Sequence, residues 1–162
     1  MPELSPAYIE AREALLATQP VTSEGEASEA PPPVYGVVVD IGFNPLFTVA
    51  VFTDGTTSAY DGNGGSITGL GNVPGMLVLG RGILNGVEAS MSSFRPVDAT
   101  PLPAFGRVRF TVLTHDGRLG VDADGAALLK GQHPLSKAFT AGMGIMEQAR
   151  HVASAPNAAP PN

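Results

Sequence analysis

The sequence predicts an α+β domain in which an antiparallel sheet of about five strands carries packed helices. Runs of β-branched residues alternate with turn dipeptides such as Asp54-Gly55, which is typical of antiparallel hairpins. Two longer segments, 73–94 and 134–152, instead repeat apolar residues at helical spacing. The predicted order is helix, linker, three strands, helix, two strands and helix.

The 162 residues suit one domain, because both ends carry little that could be buried. Residues 1–19 predict an amphipathic helix that begins at Pro6, a favoured first residue. Residues 20–33 are acidic and Pro-rich, as in an extended linker. Residues 153–162 have the low complexity of a disordered tail. We therefore expect the folded unit at 34–152, with the first helix tethered to it.

Five segments of the folded unit are predicted strands. The run 34–41 contains three consecutive valines, which indicates a strand covered on both faces. Segments 46–53 and 56–60 complete a three-stranded meander, with a turn at Asn44-Pro45 before them. Segments 105–114 and 118–123 alternate apolar and polar residues and are joined by the turn dipeptide Asp116-Gly117.

The helix predicted at 73–94 is unusual in its glycines, since each costs about 1 kcal/mol relative to Ala in a helix interior. Small residues lie along one line of this helix: Gly75, Gly82, Gly86 and Ser93. Such a line is useful where another backbone approaches closely. It therefore predicts an interface formed by this helix, or alternatively by a sheet edge, for which a second copy of the chain is the expected partner.

This element order resembles the profilin or roadblock type of small α+β domain, over about residues 34–152. The stretches VYGVVVDIG, FTDGTTSAYDGNGGSITGLG and FGRVRFTVLTHDG are also similar to those of small bacterial proteins of unknown function. The resemblance implies a bacterial α+β domain and brings no activity with it.

Composition excludes several classes of protein. The chain has no Cys, which excludes disulfides, thiolate nucleophiles and zinc ribbons. The first residues include Glu3 and no basic group, and no apolar run of signal-peptide type follows, so a cytoplasmic location is expected. Apolar runs are far shorter than the roughly 20 residues of a membrane-spanning helix.

The net charge of −6 lies almost entirely at one end of the chain. Residues 1–33 hold six acids and one base, so they carry −5 and the rest carries −1. Three arginines are expected to form a small basic patch on the sheet: Arg107, Arg109 and Arg118. Nucleic-acid binding requires more bases and exposed aromatics, so a solvated face or a contact with the acidic linker (Glu24, Glu26, Glu29) is predicted instead.

A small phosphate-bearing ligand such as a nucleotide is the alternative hypothesis. Asp40 and Gly42 follow a buried strand, which is similar to the first phosphate hairpin of actin-like and sugar-kinase ATPases, although Phe43-Asn44-Pro45 departs from that pattern. The Gly-rich loop 61–72 lies between a strand and a helix, where backbone amides can hold phosphate. The candidate ligand-binding residues are Asp40, Gly42, Asp61, Gly64, Gly65, Ser66, Gly69 and Gly71. Turns and a crossover loop are the favoured interpretation of both features.

No catalytic residue is assigned, because no GxSxG motif occurs and the three histidines, His115, His133 and His151, lack metal-ligand spacing. Asp122 and Asp124 do not continue into a calcium loop. The sequence therefore predicts a non-enzymatic protein-interaction or regulatory domain with no metal or cofactor. Its expected partner is another protein or a second copy, and not a nucleic acid or a membrane.

Overall fold

The computed structural model describes residues 4–17, 34–43, 46–115 and 117–154, with side chains as far as residue 151. The strands are β1 (Val34–Ile41), β2 (Phe47–Phe52), β3 (Thr57–Asp61), β4 (Ser66–Ile67), β5 (Arg95–Pro96), β6 (Arg107–Thr114) and β7 (Gly117–Asp124). The helices are α1 (Pro6–Leu16), α2 (Met76–Ala89), α3 (Gly125–Leu129) and α4 (Ser136–Ser154).

Within these residues the fold is α+β, with one open antiparallel sheet of seven strands in the order β4-β3-β2-β1-β6-β7-β5. The five predicted strands are all present. The two additional strands, β4 and β5, are two-residue pairings at the sheet edges. They lack the length at which alternation of apolar residues becomes visible in a sequence.

Strand β1 lies at the centre of the sheet and is covered on both faces. Val37, Val38 and Val39 are all fully buried, as the run of valines predicted. Because side chains alternate along a strand, Val37 and Val39 join the core beneath α2 and α4, and Val38 points to the other face. We call the face beneath α2 and α4 the inner face and the opposite one the outer face.

The glycines of α2 allow α4 to approach closely on the inner face. A Cβ on Gly86 would lie 3.0 Å from the Cβ of Ala138, and one on Gly82 would lie 3.3 Å from the Cβ of Ala141. The close backbone approach that these glycines predicted is therefore made by α4 of the same chain. At these two positions the glycine line no longer supports an interface between chains. The helix is also shorter than the predicted 73–94, so Gly75 precedes α2 and Ser93 lies in a short 3-10 turn after it.

The outer face is covered by α1 and by residues 97–104. Val97 packs over Gly120 of β7, and the carbonyl oxygen of Ala104 abuts Gly42. The tethered helix α1 packs on the folded unit of its own chain, where four of its side chains are buried: Tyr8, Arg12, Leu15 and Leu16.

Several predictions concern residues outside the described part of the chain. They are the linker at 20–33, the turn at Asn44-Pro45 and the side chain of Asp116. The disordered tail was predicted from residue 153, but α4 continues to Ser154, and only residues 155–162 of that tail lie outside the described part.

Candidate functional site

Helix α1 begins against the Gly-rich loop that follows β3. Ser5 caps the helix by accepting a hydrogen bond from the amide of Ala7 at 3.2 Å, and its own amide donates to the carbonyl oxygen of Gly62 at 2.8 Å. A Cβ on Gly62 would lie 2.9 Å from a methyl group of Leu4, and one on Gly64 would lie 2.8 Å from the Ser5 hydroxyl. The glycines at these positions therefore let the start of α1 lie directly on the loop.

In its middle turn, α1 is held by an ion pair between Arg12 and Asp40 of β1. The guanidinium donates from Nε to Oδ1 and from Nη2 to Oδ2, both at 2.9 Å, and Asp40 is fully buried. Arg12 Nη2 also donates to the carbonyl oxygen of Pro101 at 3.4 Å. Two parallel hydrogen bonds fix the orientation of the helix as well as its position.

Two hydroxyl groups extend this pair into a buried polar network. Thr48 of β2 donates to Asp40 Oδ1 at 2.7 Å, and its oxygen lies 2.5 Å from the hydroxyl oxygen of Tyr8. Because the single proton of Thr48 is used on Asp40, Tyr8 is the donor in the second hydrogen bond. The carboxylate therefore accepts three hydrogen bonds, two from α1 and one from the sheet.

Burial and charge shift two pKa values in this network. Burial, followed by the negative charge of Asp40, raises the pKa of Tyr8 to about 12. Burial disfavours the charged form of Arg12, but its hydrogen bonds to Asp40 and the charge of Asp40 outweigh this and raise the pKa of Arg12. Both groups therefore stay protonated at neutral pH, with Tyr8 neutral and Arg12 charged.

The last turn of α1 makes an apolar contact with the same face. Leu15 and Leu16 form a buried cluster with residues from three strands: Val38, Ala50 and Leu113. We call the set Val38, Asp40, Thr48, Ala50 and Leu113 the helix-binding face. It presents one fully buried carboxylate within an apolar surface, which suits an amphipathic helix with an arginine among leucines.

The neighbouring part of the outer face carries the predicted arginine patch. Arg107 and Arg109 both pair with Asp122 of β7, and the pair to Arg109 is the longer, at 3.5 Å. Within the described residues, Arg109 Nε and Thr111 Oγ1 are buried and have no hydrogen-bond partner. A buried group in that state costs about 1–3 kcal/mol.

Most of the candidate ligand residues are engaged in contacts within the chain. Asp40 is enclosed beneath α1, and Gly42 is enclosed by the carbonyl oxygens of Ala104 and Arg107. Asp61 accepts hydrogen bonds from the amides of Asn63 and Gly65, so it organises its own turn.

The remaining loop residues differ in how enclosed they are. Gly71 abuts the carbonyl oxygen of Gly55, whereas Gly69 is an open left-handed residue with φ of 73°. Ser66 lies exposed on the edge strand β4. The structure thus uses this loop to turn the chain and to receive α1.

The histidines and the other candidate carboxylates also have local roles. His133 Nδ1 accepts from the amide of Leu135 at 3.0 Å, and the ring of His115 packs edge to face on Tyr35. Asp54 accepts from the amide of Thr56, and Asp124 caps α3. Within the described ranges, no three His, Asp or Glu side chains are grouped as a metal site requires.

A groove of about 330 Å³ lies elsewhere, between α2 and the β2–β3 hairpin. Leu77 and Leu84 line it together with Arg81 and Glu88. None of the ligand residues predicted from sequence lines this groove.

Among the helices that the structure describes, none combines the length and the apolar character needed to span a bilayer.

Sequence reasoning missed Arg12, Tyr8 and Thr48 as site residues. A signal was present, because Arg12 is the only basic residue among the first 33 and falls on the same helix face as Tyr8, Leu15 and Leu16. A base on the apolar side of a helix indicates a buried acid opposite. That acid is Asp40, which was considered only as a phosphate-ligand or turn residue.

Comparison of this chain with protein-family models, with curated proteins and with solved structures gives no match. The likeness to profilin and roadblock domains accordingly rests on the order of elements alone. A likeness of fold alone carries no function.

Proposed function

We propose that this chain is a protein-interaction or regulatory domain with no enzymatic role, and that it works as a homodimer in the bacterial cytoplasm. The observation that supports the proposal best is the helix-binding face. It holds a helix from a distant segment through a two-point ion pair, a hydroxyl pair and two leucines. Recognition of an amphipathic helix by a surface with spaced anchors is a common mode of protein association.

The composition of this face supports binding of a helix over binding of a small molecule. Asp40 and Thr48 direct their polar atoms at side chains of α1, and the surrounding residues are apolar. A carboxylate of this kind distinguishes helices that carry an arginine from those that do not, because an unmatched buried charge is costly. The face is therefore selective for its helix.

Sedimentation equilibrium of the whole chain across a range of concentrations tests the homodimer. We expect a mass that rises to twice the 16.6 kDa of the chain as concentration increases. A single species at the chain mass throughout would contradict it.

A thermal-shift panel with nucleotides and Mg²⁺ tests the alternative of a phosphate ligand. A ligand present at 100 times its dissociation constant stabilises a protein by about 2.7 kcal/mol, which is readily seen. We expect no shift, because Asp40 and the loop at 61–72 are occupied by contacts within the chain. A saturable shift that Gly69→Val abolishes would favour the ligand hypothesis instead.

A further inference from the structure

We propose that the occupant of the helix-binding face in the homodimer is α1 of the second copy, so that the two chains exchange their first helices. This inference rests on the proposed homodimer and specifies how it is built. Each site would then contain residues of both chains, with Arg12 of one copy paired to Asp40 of the other. The contacts are those already described and differ only in which chain supplies the helix.

The connection between α1 and β1 is longer than the fold of one chain requires. Leu15 and Leu16, at the end of α1, cluster with Val38 and with Tyr35, the second residue of β1. The helix therefore ends close to where β1 begins, and a connection of about 2–6 residues is usual between a helix and a neighbouring strand. The chain instead places 16 residues, 18–33, between Ala17 and Val34. Fully extended, these would reach roughly 50–60 Å, far enough to reach a second molecule.

The residues of the helix-binding face also specify which helix can bind there. A helix that fits this face must carry a tyrosine, then an arginine four residues later, then two leucines three and four residues beyond the arginine. The first helix of a second copy carries this pattern at Tyr8, Arg12, Leu15 and Leu16. A second copy is therefore the partner whose chemistry is known to match the buried carboxylate.

Protein concentration sets the balance between the two arrangements. Since the same contacts form in both, the balance depends on the concentration of the second copy relative to the effective concentration that the connection gives the helix at the face of its own chain. At high protein concentration the second face competes, and exchange of both helices closes the assembly symmetrically. Dilution should return the helix to its own chain.

Cross-linking between chains tests the proposal. Because the chain has no Cys, a thiol-specific reagent joins only the cysteines that are introduced. Ala7, in the first turn of α1, and Asn63, next to Gly62, are both exposed and lie on the two sides of the contact between Ser5 and Gly62. Chains with Ala7→Cys and chains with Asn63→Cys are mixed, allowed to exchange at high concentration, and treated with a short bismaleimide. We expect a covalent pair that joins one chain of each kind.

The matched control replaces Asn63→Cys by Lys137→Cys, because Lys137 is exposed on α4, which packs on the inner face. A yield for the Ala7–Asn63 mixture several-fold above this control supports exchange. A yield equal to the control, together with a dimer seen by light scattering, contradicts the exchange of helices. The homodimer itself is then supported. A chain that stays monomeric overturns both. A single chain with both cysteines at positions 7 and 63 checks that the reagent spans the two sites.

Discussion

At the scale of single residues, the Arg12–Asp40 pair differs in its burial from the arginine–Asp122 pairs of the outer face. Asp40 is fully buried and Arg12 nearly so, whereas the Arg107–Asp122 pair is about one-third exposed or more on both sides. Breaking a buried pair leaves a charge without a partner in a medium that solvates it poorly. An exposed pair loses little, because water replaces the partner.

The substitution Asp40→Asn should therefore lower the free energy of unfolding by about 3–5 kcal/mol, since it leaves the Arg12 charge buried and unpaired. Asp122→Asn makes the same chemical change at an exposed pair and should cost about 0–1 kcal/mol. Urea denaturation of both variants gives the comparison. Similar losses in the two variants would show that burial of the first pair has no energetic consequence.

Tyr8 predicts a loss of stability at alkaline pH. Its pKa is about 12 in the folded chain and about 10 when unfolded, so between these values the folded state retains a proton that the unfolded state has released. Stability is full below pH 10 and should fall by up to about 1.4 kcal/mol per pH unit as the pH rises toward 12.

Tyr8→Phe removes this titration, so its free energy of unfolding should decline less steeply than that of the unaltered chain between pH 10 and 12. Below pH 10 the variant should be less stable by about 1 kcal/mol, because the hydrogen bond to Thr48 is lost. Equal slopes for both proteins in unfolding titrations would argue against a shifted tyrosine.

At the scale of elements, the packing of α2 on α4 separates two kinds of glycine in the same helix. A Cβ on Gly86 would lie 3.0 Å from the Cβ of Ala138 and 3.4 Å from its backbone nitrogen, but one on Gly80 would have no neighbour nearer than 3.6 Å. Gly86 is required because α4 packs against it. Gly80 has no such neighbour and only lowers the helical propensity of α2.

Gly80→Ala should accordingly stabilise the chain by up to about 1 kcal/mol, since it gains helical propensity at no steric cost. Gly86→Ala gains the same propensity but must displace α4, and overpacking of this kind costs about 1–3 kcal/mol, so the net effect should be destabilising. Thermal unfolding of the two variants measures both signs. If both variants were stabilised, displacement of α4 by a Cβ at position 86 would cost little free energy.

The order of the elements was predictable because each long element carries its own periodicity. The alternation in 105–114 and the apolar stripe of 134–152 are local properties that survive without knowledge of the fold. Strand β5 (Arg95–Pro96) pairs through only two residues with β7, and that pairing depends on where the intervening chain travels. No short stretch of sequence contains such information.

The site was less predictable than the fold for a related reason. Arg12 and Asp40 are 28 residues apart, and their meeting depends on α1 lying on the outer face. The acidic, Pro-rich composition of 20–33 indicated a tether, but a tether does not specify where its helix binds. The arginine on the apolar helix face was the one local sign of the contact.

At the scale of the whole molecule, charge and helix packing lie in the same terminal segment. Residues 1–33 carry −5 of the net −6, and α1 within them covers the helix-binding face. Removing this segment would therefore take away most of the charge that keeps the chain dispersed and would also expose apolar residues. These two effects can be separated by experiment.

Deletion of residues 1–33 should lower the melting temperature and promote aggregation into species larger than a dimer at low and high salt alike, because it uncovers Val38, Ala50 and Leu113 and leaves Asp40 without Arg12. The control is the full chain with Glu24→Gln, Glu26→Gln and Glu29→Gln, which loses three charges and keeps α1. It should retain the melting temperature of the unaltered chain, since charges on a tether contribute little to packing. Thermal scans and light scattering at two salt concentrations compare the three proteins. If the triple variant aggregates as strongly as the deletion, charge repulsion and not the cover provided by α1 prevents aggregation.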